Sequence, residues 1–115
     1  RNQVVARAEE GFEHIVISYY NEKPGNPSLS AALAANSLLE LKGVLASFVI
    51  VPTDDGISIS GRSLGNINVQ RVLEKLGGGG HMTVAGAQLP GATVHEALDK
   101  IKQAISEYMR EGEIK

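Results

Sequence analysis

Four consecutive glycines, Gly77 to Gly80, run directly into His81, and Arg62 lies a short helix upstream of them. Glycines remove every side chain that would hold a ligand away from the backbone, and they let successive N–H groups converge on an anion. Phosphate is the natural guest of such a nest. A helical turn opening at His81 adds free N–H groups and a favourable dipole, and the imidazole itself donates a hydrogen bond to a phosphate oxygen. Arg62 supplies a planar fork that binds phosphate or stacks on a base. Between residues 61 and 81 the basic side chains Arg62, Arg71 and Lys75 meet one acid, Glu74, so three minus one leaves +2 on a chain whose formal total is -2. Positive charge is thus expected around the glycines.

Other chemistry is thinly supplied. A glycine run behind a helix also serves as a C-cap and flexible loop, and composition alone leaves that alternative open. No Lys-Ser or Lys-Thr follows the glycines, which excludes a P-loop, and they follow a helix rather than a strand, which excludes a dinucleotide fingerprint. The histidines His14, His81 and His95 and the aspartates Asp54, Asp55 and Asp99 form no spacing that would hold a metal. Asp54 and Asp55 read as a hairpin turn. Ser60 and Ser63 have no neighbouring base in sequence to make either a nucleophile. No residue of the chain is therefore assigned a catalytic or metal-binding role.

The elements that must position Arg62 and the glycine loop follow from hydrophobic spacing. Val4, Val5, Ala8 and Phe12 opposite Arg7, Glu9 and Glu10 predict a first helix ending at Gly11. The run from His14 to Tyr20 predicts a buried central strand. Asn26-Pro27 offers an N-cap and a first-turn proline for a helix over 28–42 that Gly43 stops. Val44 to Val51 then returns as a strand parallel to the central one, with a right-handed crossover. Thr53-Asp-Asp-Gly56 turns the chain into an antiparallel strand led by Ile57-Ser-Ile-Ser60. Val69, Val72, Leu73 and Leu76 predict a helix over 68–76, and a short strand is expected near 87–89 after the turn at His81. Thr93-Val-His-Glu96 has the capping-box pattern at the head of a last helix. The order implies an α/β fold, one small domain over 1–115 with a mixed sheet of about four strands flanked by helices.

At 115 residues and 12.2 kDa, with 43% hydrophobic residues, the chain suffices for one packed core and not two. The net charge of -2 excludes a global polycation, and the absence of cysteine excludes disulfides, thiolate metal sites and a cysteine nucleophile. Unbroken apolar runs such as Ala31 to Ala35 and Phe48 to Val51 are far short of the roughly 20 residues a membrane-spanning helix needs. No signal peptide is read. The chain opens at Arg1, which points to a domain cut from a longer protein or to a processed chain.

The stretches Ile-Ser-Gly-Arg-Ser-Leu-Gly-Asn-Ile-Asn-Val-Gln (59–70), Leu-Glu-Lys-Leu-Gly-Gly-Gly-Gly-His (73–81) and Ala-Gly-Ala-Gln-Leu (85–89) resemble the C-terminal DHH-associated domain of DHH phosphoesterases. The likeness is greatest to the GdpP type, the cyclic di-AMP phosphodiesterases, although Gly86 stands where relatives of that type often have a second alanine. The resemblance implies a division of labour. An N-terminal DHH domain, absent from this sequence, holds two manganese ions that activate water, and the domain in hand grips the nucleotide that is hydrolysed from cyclic di-AMP to linear pApA. Arg62 and Gly78 to His81 fall on the substrate-binding motif, with Gly77, Ser63 and Asn68 as neighbours. It further implies as partners cyclic di-AMP or a short linear dinucleotide and the DHH domain of the same chain, with a homodimer left open. Location is expected to be cytoplasmic, the parent anchored in the bacterial membrane through other segments. Two further readings stay open: the nucleic-acid-binding domain of a nanoRNA or single-strand exonuclease of the superfamily, and a structural or dimerising domain. The aromatics, Phe12, Tyr19, Tyr20, Phe48 and Tyr108, fall mostly at core positions, so no stacking platform for an extended nucleic acid is expected.

Overall fold

The structure, a computed structural model, describes residues 3–6, 12 and 14–114. In chain order the elements are β1 (Gln3–Ala6), β2 (Ile15–Tyr20), α1 (Pro27–Leu38), β3 (Ala46–Pro52), β4 (Gly56–Ser63), α2 (Val69–Glu74), β5 (Gly79–Gly80), β6 (Val84–Pro90) and α3 (Val94–Ile114). The strands form one mixed sheet in the order β1-β2-β3-β4-β6-β5. β2 and β3 are parallel, as the crossover through α1 demands, and the other neighbours are antiparallel. The mixed α/β fold is as the residue pattern implies.

The sheet has six strands rather than about four, for two reasons. Gln3–Ala6 is a strand where a helix was expected, pairing Val4 with Tyr19 and Val5 with Ser18; tertiary pairing along the outer edge of β2 overrides a short helical spacing that its β-branched residues support poorly. The rest of that expected helix, residues 7–11, lies outside the described residues. With β1 outside it, β2 is one strand in from the edge, and β3 and β4 hold the centre. The second addition is β5, discussed with the site below.

Helices cover both faces of the middle of the sheet. On one face α2 and α3 enclose the main core, in which Ile15, Ile17, Phe48, Ile50, Ile59, Leu73, Ile101 and Ile105 are fully buried. On the other, α1 packs across β3 and β4, burying Ala31, Ala34, Ala35 and Leu38 against Val49 and Val51. Ser47, completely buried, donates from Oγ to the Ala35 carbonyl at 2.7 Å and so ties β3 to the last turn of α1.

Local signals set the helix ends. Asn26 Oδ1 accepts from the Leu29 N–H, with Pro27 in the first turn. α1 ends at Leu38, before the expected Lys42, because the N–H groups of Leu39, Glu40 and Leu41 bond three residues back and tighten the coil before Gly43 turns at φ 85°. At α3, Thr93 Oγ1 accepts from the Glu96 N–H while Glu96 Oε1 accepts from the Thr93 N–H, a complete capping box. Among the described residues no helix is long and apolar enough to cross a membrane.

Candidate functional site

The register of the sheet brings Arg62 and His81 onto one cross-strand row. Arg62 in β4 sits opposite Val84 in β6. The His81 N–H donates to the Val84 carbonyl at 2.7 Å, continuing the pairing of Gly80 with Ala85 and Gly79 with Gly86. Directly paired residues share a face, so Arg62, Val84 and His81 project together, two strand spacings or about 10 Å from first to last. This is the face that carries α1, but α1 stops at β4. Beyond it the next row, Ser60, Gly86 and Gly79, forms a floor almost without side chains. The result is an open shelf of small residues with a guanidinium and an imidazole along one end.

No helical turn opens at His81, contrary to the sequence expectation. Met82 and Thr83 instead close a tight β5–β6 hairpin, and β6 begins at Val84 rather than near Ala87 because all seven of its residues pair with β4. A helix dipole therefore contributes nothing to anion binding there.

The four glycines hold four different positions. Gly77, at φ 84°, terminates α2: its N–H donates to the Glu74 carbonyl, and the Gly78 N–H reaches back to the Leu73 carbonyl at 2.8 Å. The C-cap alternative is thus realised at the start of the run. Gly78 lies so close to β6 that a Cβ would stand 2.2 Å from the Gly86 carbonyl oxygen. Gly80 has φ 143° and equally little room, its Cβ position lying 2.5 Å from the Val84 carbonyl oxygen. Like Gly77, Gly79 on the shelf has nothing within 4 Å of its Cβ position, but unlike Gly77 it has no positive φ. The N–H groups of Gly77, Gly78 and His81 are all engaged within the fold, so the run does not form a nest of converging free N–H groups. With His81 bonded to Val84, the alternation of an antiparallel ladder turns the Gly80 peptide groups outward, toward the open sheet edge.

Arg62 is partly buried, its Nη1 donating to the Gly61 carbonyl at 2.8 Å, and burial lowers its pKa from the ordinary arginine value. Ser63 and Asn68 do not join it. Ser63 is buried, and its Oγ accepts from the N–H groups of Gly65 at 2.9 Å and Ile67 at 3.3 Å, shaping the turn that follows β4. Asn68 caps α2 by accepting from the Arg71 N–H at 3.1 Å. The cationic surplus is likewise redistributed, since Arg71 and Lys75 both pair with Glu111 of α3, at 3.6 and 2.5 Å. Of the three bases counted along 61–81, only Arg62 stands on the shelf.

The other titratable groups are dispersed. His14 Nδ1 donates to the Gly43 carbonyl at 3.1 Å, and Asp54 pairs loosely with Lys23 at 3.7 Å. Among the described residues no three His, Asp or Glu side chains come together as a metal site.

Two residues far along the chain enter the picture without any local signal. Tyr108 Oη accepts the Asn68 N–H at 3.0 Å, across 40 positions. Glu111, one helical turn on, draws Arg71 and Lys75 together; the Lys75 hydrogen bond foremost, with both cations adding, lowers its pKa below the usual carboxylate value. Only the amphipathic stripe of α3, which carries Tyr108 among its apolar positions, hinted at where this end of the helix would land.

The comparisons accord with this geometry. Residues 13–111 match the model of the DHHA1 domain. The chain is 43% identical over 113 residues to the cyclic-di-AMP phosphodiesterase GdpP of Geobacillus thermodenitrificans, covering 97% of this chain and 17% of that protein. It is 41% identical over 111 residues to the cyclic-di-AMP phosphodiesterase PdeA of Listeria monocytogenes, covering 96% of this chain and again 17% of the relative. The chain thus spans under a fifth of the length of these curated relatives. A solved exopolyphosphatase-related protein from Bacteroides fragilis superposes with a TM-score of 0.71 at 24% identity, over 93% of this chain and 32% of that one, which shows a shared fold. With its mixed sheet, its glycine-rich hairpin and a family match over nearly its whole length, the chain belongs to the DHHA1 domain family.

Proposed function

We propose that this domain grips the substrate of a GdpP-like phosphodiesterase, holding cyclic di-AMP, or the linear pApA that its hydrolysis yields, by the nucleotide phosphate. The observation that carries the reading is the row of Arg62, Val84 and His81 beside the bare floor of Ser60, Gly86 and Gly79. A guanidinium at one end and an imidazole N–H at the other give a phosphodiester two donors, one of them permanently cationic. The glycine floor lets the phosphate reach the sheet, and the outward Gly80 N–H lies on the same hairpin. The names of the relatives, both cyclic-di-AMP phosphodiesterases, support the substrate class.

The part played is binding and orientation. The family likeness assigns the hydrolytic step to a companion DHH domain holding two manganese ions, and on this reading the present domain binds rather than cleaves. Arg62 and His81 fix the position of the phosphate and offset its charge while the partner domain acts on it. In a membrane-anchored parent the domain would lie on the cytoplasmic side. The experiment is a titration of the 115-residue chain with cyclic di-AMP and with pApA, followed by backbone amide NMR. The expected result is saturable shifts at Gly79, Gly80, His81 and Arg62. Amides there that stay still at saturating dinucleotide overturn the reading.

A further inference from the structure

One row beyond the glycine floor, Ser58 in β4 pairs with Gln88 in β6. Residues two apart along a strand share a face, so Arg62, Ser60 and Ser58 line one side of the shelf and Val84, Gly86 and Gln88 the other. Gln88 therefore stands on the same face as the phosphate row. Val84 to Gln88 is four residues along β6, about 13 Å of extended strand. That is close to the reach of a mononucleotide from its phosphate to the far edge of its base. Between the two ends lie only the small residues Ser60, Gly86 and Gly79, which leave room for a ribose.

Gln88 is exposed and within a ligand's reach, whereas Ser58 is buried, and Gln88 Nε2 donates to Ser58 Oγ at 3.1 Å. That bond uses one of the two amide protons and neither lone pair of Oε1. Among the described residues the amide forms no other hydrogen bond. Anchored on the buried hydroxyl, it presents its second N–H and Oε1 side by side. A donor beside an acceptor matches one edge of adenine, where the N6 amino group donates and N7 accepts. Guanine offers two acceptors on that edge, O6 and N7, so its carbonyl oxygen would meet Oε1 and one of the two bonds would give way to repulsion.

We propose that Gln88 reads the base of the nucleotide whose phosphate Arg62 and His81 hold, accepting from adenine N6 and donating to N7. Ser58 is the positioning residue, setting the amide that makes the contact. The inference rests on the nucleotide reading above and adds to it the choice of base. Phosphate contacts orient a nucleotide but carry no base information, so Arg62 and His81 leave that choice to a group at the other end of the shelf.

The test titrates the chain with adenosine monophosphate, guanosine monophosphate and ribose 5-phosphate while NMR follows the backbone amides and the Gln88 side-chain amide, assigned by its loss in Gln88→Ala. Adenosine monophosphate is expected to move the Gln88 side-chain amide together with the backbone amides of Gly79 and His81. Guanosine monophosphate is expected to bind at least about fivefold more weakly, the lower bound for one bidentate pair. Ribose 5-phosphate is expected to move Gly79 and His81 and to leave Gln88 still. Gln88→Ala, checked for folding by its amide spectrum, should bind the two nucleotides equally and ribose 5-phosphate as the unaltered chain does. Ser58→Ala should narrow the preference with ribose 5-phosphate binding unchanged. A Gln88 amide that stays still while adenosine monophosphate shifts Gly79 and His81 overturns the base reading and leaves the phosphate row standing. Equal affinity for the two nucleotides in the unaltered chain, or a preference that survives Gln88→Ala, does the same. If Gly79 and His81 stay still with all three ligands, the phosphate row fails and the base reading, which rests on it, fails too.

Discussion

The glycine run makes a prediction in which neighbouring residues of one type behave oppositely. Adding a methyl at Gly78 places a Cβ 2.2 Å from the Gly86 carbonyl oxygen and 2.7 Å from the Ala87 Cβ, atoms of a paired strand that cannot swing aside. β5 must then lift from β6, and overpacking of this kind costs about 1–3 kcal/mol. Gly80→Ala meets the same crowding and adds strain from its φ of 143°. Gly79 has neither problem, since nothing lies within 4 Å of its Cβ position and it is not among the glycines of positive φ. Gly79→Val is therefore expected to change stability by no more than about 0.5 kcal/mol. Equilibrium urea unfolding resolves the difference, and a thermal scan should separate Gly78→Ala from the parent by roughly 4–12 °C, at about 4 °C per kcal/mol for a domain near this size. The valine at 79 stands on the shelf between Gly86 and the open edge. It should weaken dinucleotide binding although the fold is intact. The reasoning fails if Gly79→Val unfolds as readily as Gly78→Ala, or if it binds dinucleotide as the parent does.

Two further outcomes are expected. Ser47→Ala removes a buried hydroxyl that caps the Ala35 carbonyl near the end of α1, and a loss of about 1–2 kcal/mol in urea unfolding is expected, whereas a loss near zero would show that the carbonyl finds another donor. Glu111 has a pKa lowered by Lys75 and Arg71, so its contribution is complete above the unfolded-state carboxylate pKa and disappears as pH falls through the lower folded value. The stability difference between the parent and Glu111→Gln should accordingly be flat near neutrality and shrink below about pH 4; a difference that holds constant through the acid range contradicts the pairing.

Much of this arrangement was legible in the chain because local chemistry and tertiary structure agree there. Asn26-Pro27, Thr93 with Glu96, and Thr53 to Gly56 each carry their own hydrogen-bonding instruction, and each forms the cap or turn it encodes. The misreadings fall where pairing at a distance decides. Val4 and Val5 have a helical spacing but an available strand edge, and β2 claims them. The segment 79–86 is too glycine-rich to have a periodicity of its own, and its hairpin is dictated by the full length of β4 beside it. Arg71 and Lys75 looked like part of a basic patch because their partner, Glu111, is more than 35 positions further on. The family resemblance sets Ser63 and Asn68 beside the substrate-binding motif, while the Ser63 hydroxyl is buried in the turn it shapes and Asn68 caps α2.

The central claim, one phosphate shared by Arg62 and His81, is tested most directly by a double-mutant cycle on dinucleotide affinity. Calorimetric titration of the unaltered chain, Arg62→Ala, His81→Ala and the double variant with pApA gives four dissociation constants. Each single change is expected to weaken binding by about 1.5–3 kcal/mol, the range for a charge-assisted hydrogen bond, which is ten- to a hundredfold or somewhat more. The double variant should lose less than the two losses added, because groups holding the same phosphate are energetically coupled. Strict additivity, or single variants that bind as the unaltered chain does, would contradict a shared phosphate on the Arg62, Val84 and His81 row.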